Sequence, residues 1–239
     1  MTLHVGTSGW AYREWKPGFY PKDVTRSRFL DHYCKTLSAC EINATFYRLQ
    51  SEATLDRWIA AAPESFKFAV KAHRRITHSK KLAPDSEARS FIDLFLRSVS
   101  TLGPRLGAVL FQFPPHRQRD DAALGRFLEA LPAGAAFAVE FRHISWDDDD
   151  IAKQVALRGG TVCVSDKSGD PPDALPPGPI AYVRLRHDRY SRDQREGWKA
   201  VLTKEAKSRH VFAFAKHAGI SSVDPYGGVG LARWLMRNA

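Results

Sequence analysis

Charged side chains inside predicted strands are the strongest indication of chemistry in this sequence. Glu41 and Glu140 each stand among apolar neighbours that form strand patterns. A carboxylate inside a protein is costly unless a cation pairs with it, and Lys71 and Arg184, in other strand patterns, are the natural counter-ions. Because buried carboxylates and amines are suited to proton transfer, we predict Glu41, Glu140 and Lys71 as the catalytic residues.

Polar and aromatic residues close to the same strand ends are predicted to bind substrate. Arg184 and Arg186 would bind negative charge, while Asn43, Gln112 and His78 would orient the ligand. The full predicted set comprises Asn43, Tyr47, Arg48, His78, Gln112, Arg142, His143, Trp146, Asp166, Arg184 and Arg186. Together these residues predict an enzyme of the hydrolase or lyase type that acts on an anionic substrate, for example a phosphate-bearing one.

The elements that must position these residues are eight short strands, each rich in β-branched or aromatic residues. They are predicted at Leu3–Gly6, Cys40–Ala44, Phe66–Ala72, Ala108–Phe113, Ala136–Phe141, Thr161–Ser165, Ala181–Leu185 and His210–Ala215. Helical spacing recurs between most of them, at Ser27–Leu37, Ala53–Ala61, Glu87–Leu102, Ala122–Leu131, Ile151–Arg158 and Arg195–Lys207, with a last helix at Leu231–Arg237. Alternating strands and helices favour parallel crossover units.

The number of strands favours a closed barrel over an open sheet. No Gly-x-Gly-x-x-Gly turn follows the first strand, and no long linker interrupts the chain. The weakest point is the connection after Ser165, because Asp173–Leu175 is too short for a crossover helix, and a doubly wound open sheet is therefore the alternative. We predict an α/β fold, the (β/α)8 TIM barrel, as one domain over residues 1–239.

Alternation along each strand assigns one face to the barrel interior. Ile42 packs outward, so Glu41 and Asn43 face inward. By the same alternation Glu140 and Arg142 share the inner face of the fifth strand. Other strands end at Lys71, Gln112, Asp166, Arg184 with Arg186, and Lys216. The buried charges could merely neutralise one another. Barrel interiors are usually filled by Val, Ile and Leu, however, and barrel enzymes carry out their chemistry at these strand ends. A functional role is therefore favoured.

The composition bounds the kind of protein and its partners. A formal net charge of +10 and a pI near 9.7 imply attraction to anions, either a small anionic molecule or nucleic acid. Basic residues are densest over residues 71–81 and 184–192. The three cysteines lack Cys-x-x-Cys spacing, so we expect reduced thiols. The N-terminus has no signal-peptide pattern and no apolar run reaches spanning length, which predicts a soluble, cytoplasmic protein without a membrane partner.

Two other functions stay open at this stage. In a nucleic-acid-binding protein the two basic regions would grip phosphates and loop aromatics would stack on bases. In a metal-dependent phosphodiesterase resembling endonuclease IV, Glu140 and Asp166 with nearby histidines would hold a divalent metal, but the strand ends offer few such ligands, and no cofactor is predicted. The acidic run Asp147–Asp150 is interpreted as the cap of the next helix rather than as a cation site.

Motifs in a fixed order run through most of the chain. They are Gly6-Thr-Ser-Gly-Trp10, Phe19-Tyr-Pro21, Glu41-Ile-Asn43, Thr45-Phe-Tyr-Arg48, Phe66-Lys-Phe-Ala-Val-Lys71, Ile76-Thr-His78, Leu110-Phe-Gln-Phe-Pro-Pro115, Glu140-Phe-Arg-His143 with Ser145-Trp146, and Tyr182-Val-Arg-Leu-Arg186. In these motifs the chain resembles the YecE-like family, domain of unknown function 72. The resemblance implies a TIM-barrel fold and no established reaction. The chain departs from the family pattern at Lys216-His217, where an Asn-rich pair is usual.

Overall fold

The computed structural model describes residues 1–132, 134, 136–217 and 219–239, and these ranges contain nine parallel strands. The strands are β1 (Leu3–Ser8), β2 (Ala39–Ile42), β3 (Lys67–Lys71), β4 (Leu106–Gln112), β5 (Phe137–Glu140), β6 (Gly160–Val162), β7 (Val164–Asp166), β8 (Ile180–Leu185) and β9 (His210–Ala215). Their order in the sheet is β6-β5-β4-β3-β2-β1-β9-β8-β7. Apart from β6 and β7, which stand at the two ends of this order, each strand lies beside its neighbours in sequence, and β1 lies beside β9.

The two ends of this sheet meet in one irregular strand. Only Cys163 separates β6 from β7, and its backbone N–H donates to the carbonyl of Val139 at 2.8 Å. β6 pairs with β5, whereas β7 pairs with β8, so this short stretch bridges the two edges and closes the barrel. The prediction of a (β/α)8 TIM barrel is confirmed, with the predicted sixth strand divided into two pieces.

Eight α-helices of the described residues surround the strands. They are α1 (Phe29–Cys34), α2 (Glu52–Ala61), α3 (Arg74–Thr77), α4 (Ser86–Ser100), α5 (Asp121–Glu129), α6 (Asp149–Leu157), α7 (Arg192–Glu205) and α8 (Gly228–Asn238). The seven predicted helices all occur, whereas the short α3 was not predicted. Asp148 caps α6 by accepting the backbone N–H of Asp150 at 2.7 Å, which confirms the interpretation of the acidic run. Residues 167–179, which the structure describes in full, contain no helix, so the expected break in the alternation is also confirmed.

Alternation along the strands builds two separate apolar layers. Outward-facing side chains such as Val5, Ile42 and Val139 are buried in the layer that includes the helices. Inside the barrel a second cluster, here called the apolar plug, consists of Ala39, Ala69, Ala108, Leu110, Ala138, Cys163, Ile180, Tyr182, Phe212 and Phe214. Alanines on β2 to β5 leave room for the large aromatic side chains of β8 and β9. The charged interior residues of β2, β3, β5 and β8 come two positions after a plug residue of the same strand.

The structure also bears on the expectations about the cysteines and about membrane-spanning segments. The three cysteines Cys34, Cys40 and Cys163 are free thiols, as expected. Within the described ranges, no helix is both long enough and apolar enough to cross a membrane.

Candidate active site at the barrel mouth

A continuous chain of hydrogen bonds crosses the C-terminal end of the barrel above the apolar plug. It runs from β3 through β4, β5, β8 and β2 to β1, and it is called the polar chain below. Its members are Lys71, Gln112, Glu140, Arg184, Glu41, Arg186 and Ser8. The structure thus brings together all three predicted catalytic residues and three of the predicted binding residues.

Glu41 is the most completely satisfied member of the polar chain. Its Oε1 accepts hydrogen bonds from Ser8 Oγ at 2.6 Å, Arg184 Nη2 at 2.9 Å and Arg186 Nη2 at 3.2 Å. Its Oε2 accepts from Arg184 Nε and the Tyr182 hydroxyl, both at 2.9 Å. Burial by itself raises the pKa of Glu41, but Arg184 and Arg186 more than offset it, so this pKa lies well below its ordinary value. Glu41 is therefore a fixed anion that holds the two arginines.

Glu140 has a different set of partners. Its Oε2 accepts from Arg184 Nη1 at 2.7 Å and from Gln112 Nε2 at 2.8 Å. Its Oε1 has no hydrogen-bond partner among the described residues, although only 3% of the surface of Glu140 is exposed. One carboxylate oxygen of Glu140 is thus held in place, while the other is left to meet a ligand or solvent.

Lys71 ends the polar chain on β3, and its partner is neutral. Its Nζ donates to Gln112 Oε1 at 2.7 Å and lies 4.1 Å from the centroid of the Phe46 ring. The expectation that Lys71 pairs directly with a buried carboxylate is wrong, because Arg184 occupies both Glu41 and Glu140. Burial, followed by the nearby charge of Arg184, lowers the pKa of Lys71 to about 8.

Further basic side chains lie near Lys71 at the mouth. The exposed Arg142 is close enough to contribute to lowering the pKa of Lys71. The pKa of His78 is lowered by partial burial, then by the charges of Lys71 and Arg74. His78 also packs edge-on against Phe46, with ring centroids 5.0 Å apart. Cations therefore outnumber carboxylates around Lys71, which favours the binding of an anion.

Asp166 was predicted at the site, but the structure places it elsewhere. Val162, Val164 and Asp166 share the strand face that lies outside the barrel. Asp166 Oδ2 accepts from the Tyr190 hydroxyl at 2.5 Å, and Oδ1 accepts from the backbone N–H of Gly169 at 2.9 Å. Its side-chain hydrogen bonds thus anchor the loop after β7, and none of them goes to a side chain of the polar chain.

His143 and Trp146 are engaged in local structure after β5. His143 Nδ1 accepts the backbone N–H of Ser145 and so caps a single 3₁₀ turn. Trp146 is buried, stacks on Phe141 at 4.3 Å between centroids, and donates its indole N–H to the carbonyl of Arg117. These contacts order the segment after β5, and neither side chain bonds to the polar chain.

Asn43 and Arg48 line a cavity of about 370 Å³ beside the mouth. Trp10 and Trp58 form another part of its wall, and Ser8 belongs both to the cavity and to the polar chain. Tyr47 lies next to this region with 70% of its surface exposed. These three predicted residues are therefore close to the polar chain without being members of it.

Three residues of the site were missed in the sequence. Ser8 and the hydroxyl of Tyr182 both donate to Glu41, and the Phe46 ring packs under the amine of Lys71. Strand alternation could have identified Tyr182, because it stands two residues before Arg184 and therefore points to the same side. Phe46 lies in a loop after β2, where alternation gives no such signal.

The residues that depart from the family pattern also have defined partners. Lys216 forms an ion pair with Asp188. His217 stacks on Tyr12 with ring centroids 3.9 Å apart, and its Nε2 is 2.9 Å from Glu14 Oε1. Both side chains lie at the rim, and their hydrogen bonds do not include a member of the polar chain.

A metal site would need several ligands that converge. Over the described ranges, no three His, Cys, Asp or Glu side chains are arranged to hold one metal ion. The predicted metal ligands Glu140 and Asp166 are engaged in separate hydrogen-bond networks. The geometry therefore offers acid–base and anion-binding groups rather than a preformed set of metal ligands.

Comparison with known proteins finds a matching family model and curated relatives of this chain. The family model described as "Protein of unknown function DUF72" matches residues 4–226. The UPF0759 protein YunF of Bacillus subtilis is 28% identical over 149 residues, which are 60% of this chain and 52% of YunF. The UPF0759 protein YecE of Escherichia coli is 28% identical over 158 residues, 66% of this chain and 54% of YecE. The chain spans about half the length of the curated relatives it matches.

Solved structures give a likeness over nearly the whole chain. A DUF72 family protein from Thermotoga maritima superimposes with a TM-score of 0.78 at 22% identity, covering 99% of this chain and 98% of that one. A DUF72 family protein from Enterococcus faecalis gives a TM-score of 0.70 at 16% identity, covering 100% and 98%. At these identities the likeness establishes the fold alone.

Proposed function

The chain belongs to the DUF72 family, and from that premise we propose that it is an enzyme that performs acid–base chemistry on an anionic substrate at the barrel mouth. The observation that carries this proposal is the position of Lys71. Its amine is partly buried, hydrogen-bonded to an amide oxygen instead of a carboxylate, and connected through Gln112 to Glu140. Titratable groups with shifted pKa values in a cleft are typical of catalytic sites.

The two carboxylates have separate roles in this proposal. Glu140 is the proton-transfer partner of Lys71, since its Oε1 is free of protein partners among the described residues. Glu41 is a positioning residue, because five hydrogen bonds hold it ionised and leave neither oxygen available to carry a proton. This assignment narrows the predicted pair of acid and base to Glu140 and Lys71.

Anion binding is assigned to the cationic side chains of the mouth. Arg142 is exposed at the end of β5, and Arg186 remains partly accessible at the end of β8. Positive charge in a partly desolvated cleft attracts a phosphate or carboxylate group and stabilises negative charge that develops during reaction. The proposal therefore covers hydrolases and lyases whose substrates carry such a group, with His78 and Gln112 in orienting roles.

Nucleic acid is the alternative partner, and one observation weakens it. The second basic region is largely engaged within the protein: Arg184 and Arg186 bind Glu41, and Arg189 pairs with Asp224. Fewer of its charges remain to grip phosphates along a strand than the sequence suggested. A metal-dependent phosphodiesterase would need ligands recruited from separate hydrogen-bond networks.

The test is a turnover screen with matched variants. The purified chain is assayed against phosphate monoesters, phosphodiesters, phosphorylated sugars and oxo acids, with Lys71→Met and Glu140→Gln alongside it. Lys67→Met is the control, because Lys67 lies at the opposite end of the same strand. Turnover that is lost in the two mouth variants and kept in the control is the expected result. Full activity in either mouth variant would overturn the assignment.

A further inference from the structure

The partners of Lys71 leave its amine unusually free to react. The ion pairs of the described residues do not include Lys71, whose Nζ hydrogen bond goes to the amide oxygen of Gln112. An amide oxygen accepts from an ammonium group or from a neutral amine, and it favours the ammonium form less strongly than a carboxylate would. The Phe46 ring covers one side of the amine, and Lys71 as a whole remains partly exposed.

The surroundings also increase the neutral fraction of this amine. With a pKa of about 8, about a quarter of Lys71 is unprotonated at pH 7.5, against about a thousandth for a lysine with an ordinary pKa of 10.5. A lysine that only held an anion would lose binding strength through this shift. Arg184 and Arg142 already supply positive charge, so the neutral amine adds something that they cannot provide, a nucleophile.

We propose that Lys71 forms a Schiff base with an aldehyde or ketone that also carries a phosphate or carboxylate group. This inference rests on the proposed function and names its substrate class. The anionic group would be bound by the cations of the mouth, which places the carbonyl carbon at Lys71 Nζ. Glu140, one hydrogen-bonded residue away through Gln112, would supply and remove protons.

The step balances without any further reactant. The lone pair of Lys71 Nζ attacks the carbonyl carbon, a C–N bond forms, and the π electrons of the carbonyl move to its oxygen. One N–H proton passes through the mouth groups to that oxygen and gives a carbinolamine. Glu140 holds the proton that the Lys71 ammonium lost in becoming a neutral amine, and it returns this proton to the carbinolamine oxygen. The C–O bond then breaks with loss of water, and the nitrogen lone pair forms the C=N bond. The iminium keeps the remaining N–H proton, and its positive charge matches the proton that Glu140 supplied.

The experiment traps this bond by reduction. The protein is incubated at pH 8 with pyruvate, with dihydroxyacetone phosphate, or with acetone as an uncharged carbonyl, and sodium borohydride is added. Peptide mass spectrometry then locates and quantifies the reduced adduct. We expect Lys71 to carry at least about tenfold more adduct than any other lysine with one or both anionic probes, because more of its amine is neutral. Acetone should label it weakly, and the preferred probe identifies carboxylate or phosphate as the recognised group.

Variants separate this inference from the proposed function. Lys71→Arg keeps the positive charge and cannot form an imine, so the adduct should be lost. Lys67→Met, at the other end of β3, should leave labelling unchanged. Labelling of Lys71 no greater than that of exposed lysines overturns the inference. If the turnover screen nevertheless finds a substrate whose conversion needs Lys71 and Glu140, the proposed function stands with Lys71 as a general base.

Discussion

The two ends of the barrel interior differ in a way that explains the site. The lower and middle layers hold the apolar plug, in which alanines from four neighbouring strands pack with Tyr182, Phe212 and Phe214. Two residues further along most of the same strands, the interior changes to the polar chain. The plug excludes water from below, so charged groups of the mouth are solvated from one side only.

This contrast shows where the unusual properties of the mouth come from. Desolvation is the largest cause of the lowered pKa of Lys71, and the charge of Arg184 comes second. At the lower end, desolvation is likewise the largest cause that lowers the pKa of His4, which is stacked between Phe212 and His210. At the mouth the burial lowers the pKa of the proposed nucleophile, whereas at the bottom it keeps a packed histidine neutral. Mutations that change one end should therefore leave the other intact.

The largest expected effect comes from breaking the polar chain at its centre. Glu41→Gln leaves Arg184 and Arg186 without their shared anion in a buried site, and we expect a loss of about 3–5 kcal/mol in the free energy of unfolding. Glu140→Gln should cost less, about 1–2 kcal/mol, because Arg184 keeps both bonds to Glu41. Urea denaturation of the two variants measures the difference. Equal losses would contradict the separate roles of the two carboxylates.

The second effect belongs to the lower end. The pKa of His4 is lowered from 6.5 to about 4 by burial, then by His210 and Lys67. Between these two pH values the unfolded chain binds a proton that the folded chain does not, so stability must fall as pH decreases from 6.5 to 4. We expect about 2 kcal/mol of this loss to come from His4. In His4→Phe the loss should shrink by that amount, whereas His116→Gln, at an exposed position, should keep it. A pH profile of His4→Phe that matches the wild type would refute the assignment.

The third effect distinguishes a functional lysine from a structural one. Lys71 releases its proton near pH 8 when folded but near 10.5 when unfolded, so below pH 8 its buried charge destabilises the fold, and stability rises between pH 8 and 10.5. Lys71→Met keeps the length of the side chain and its packing on Phe46 but removes this cost. We expect the variant to be more stable than the wild type by about 1–2 kcal/mol at pH 7 and to be inactive. A destabilised Lys71→Met would indicate that the lysine serves the fold.

Much of this architecture could be predicted from the sequence, for a physical reason. Strands and helices have their own periods, so alternation identified the barrel and assigned Glu41 and Glu140 to its interior. The same rule explains the error at Asp166, which is an odd number of residues from the interior Cys163 and therefore faces outward. The position of Asp166 at a strand end did not by itself show whether its side chain faces the interior or the outside of the barrel.

The remaining features depend on contacts between distant segments. No local pattern indicates that Arg184 would occupy both carboxylates and leave Lys71 to Gln112, because this choice depends on distances across the barrel. The roles of His143 and Trp146 depend equally on how the chain turns after β5. The sequence thus predicts that Glu41, Glu140, Lys71 and Arg184 meet at the mouth, whereas their pairing depends on the three-dimensional structure.

The smallest expected effect comes from Tyr182, a side chain that joins the two regions. The ring of Tyr182 belongs to the apolar plug, and its hydroxyl donates to Glu41 Oε2 at 2.9 Å. Tyr182→Phe keeps the packing and removes one of five hydrogen bonds to a carboxylate that still holds both arginines. We expect a loss of about 1 kcal/mol in the free energy of unfolding. Because burial and Arg184 dominate the pKa of Lys71, amine labelling of that residue as a function of pH should keep its midpoint near 8. A midpoint that moves with this substitution would mean that the plug and the polar chain are coupled through Glu41 more strongly than their hydrogen bonds indicate.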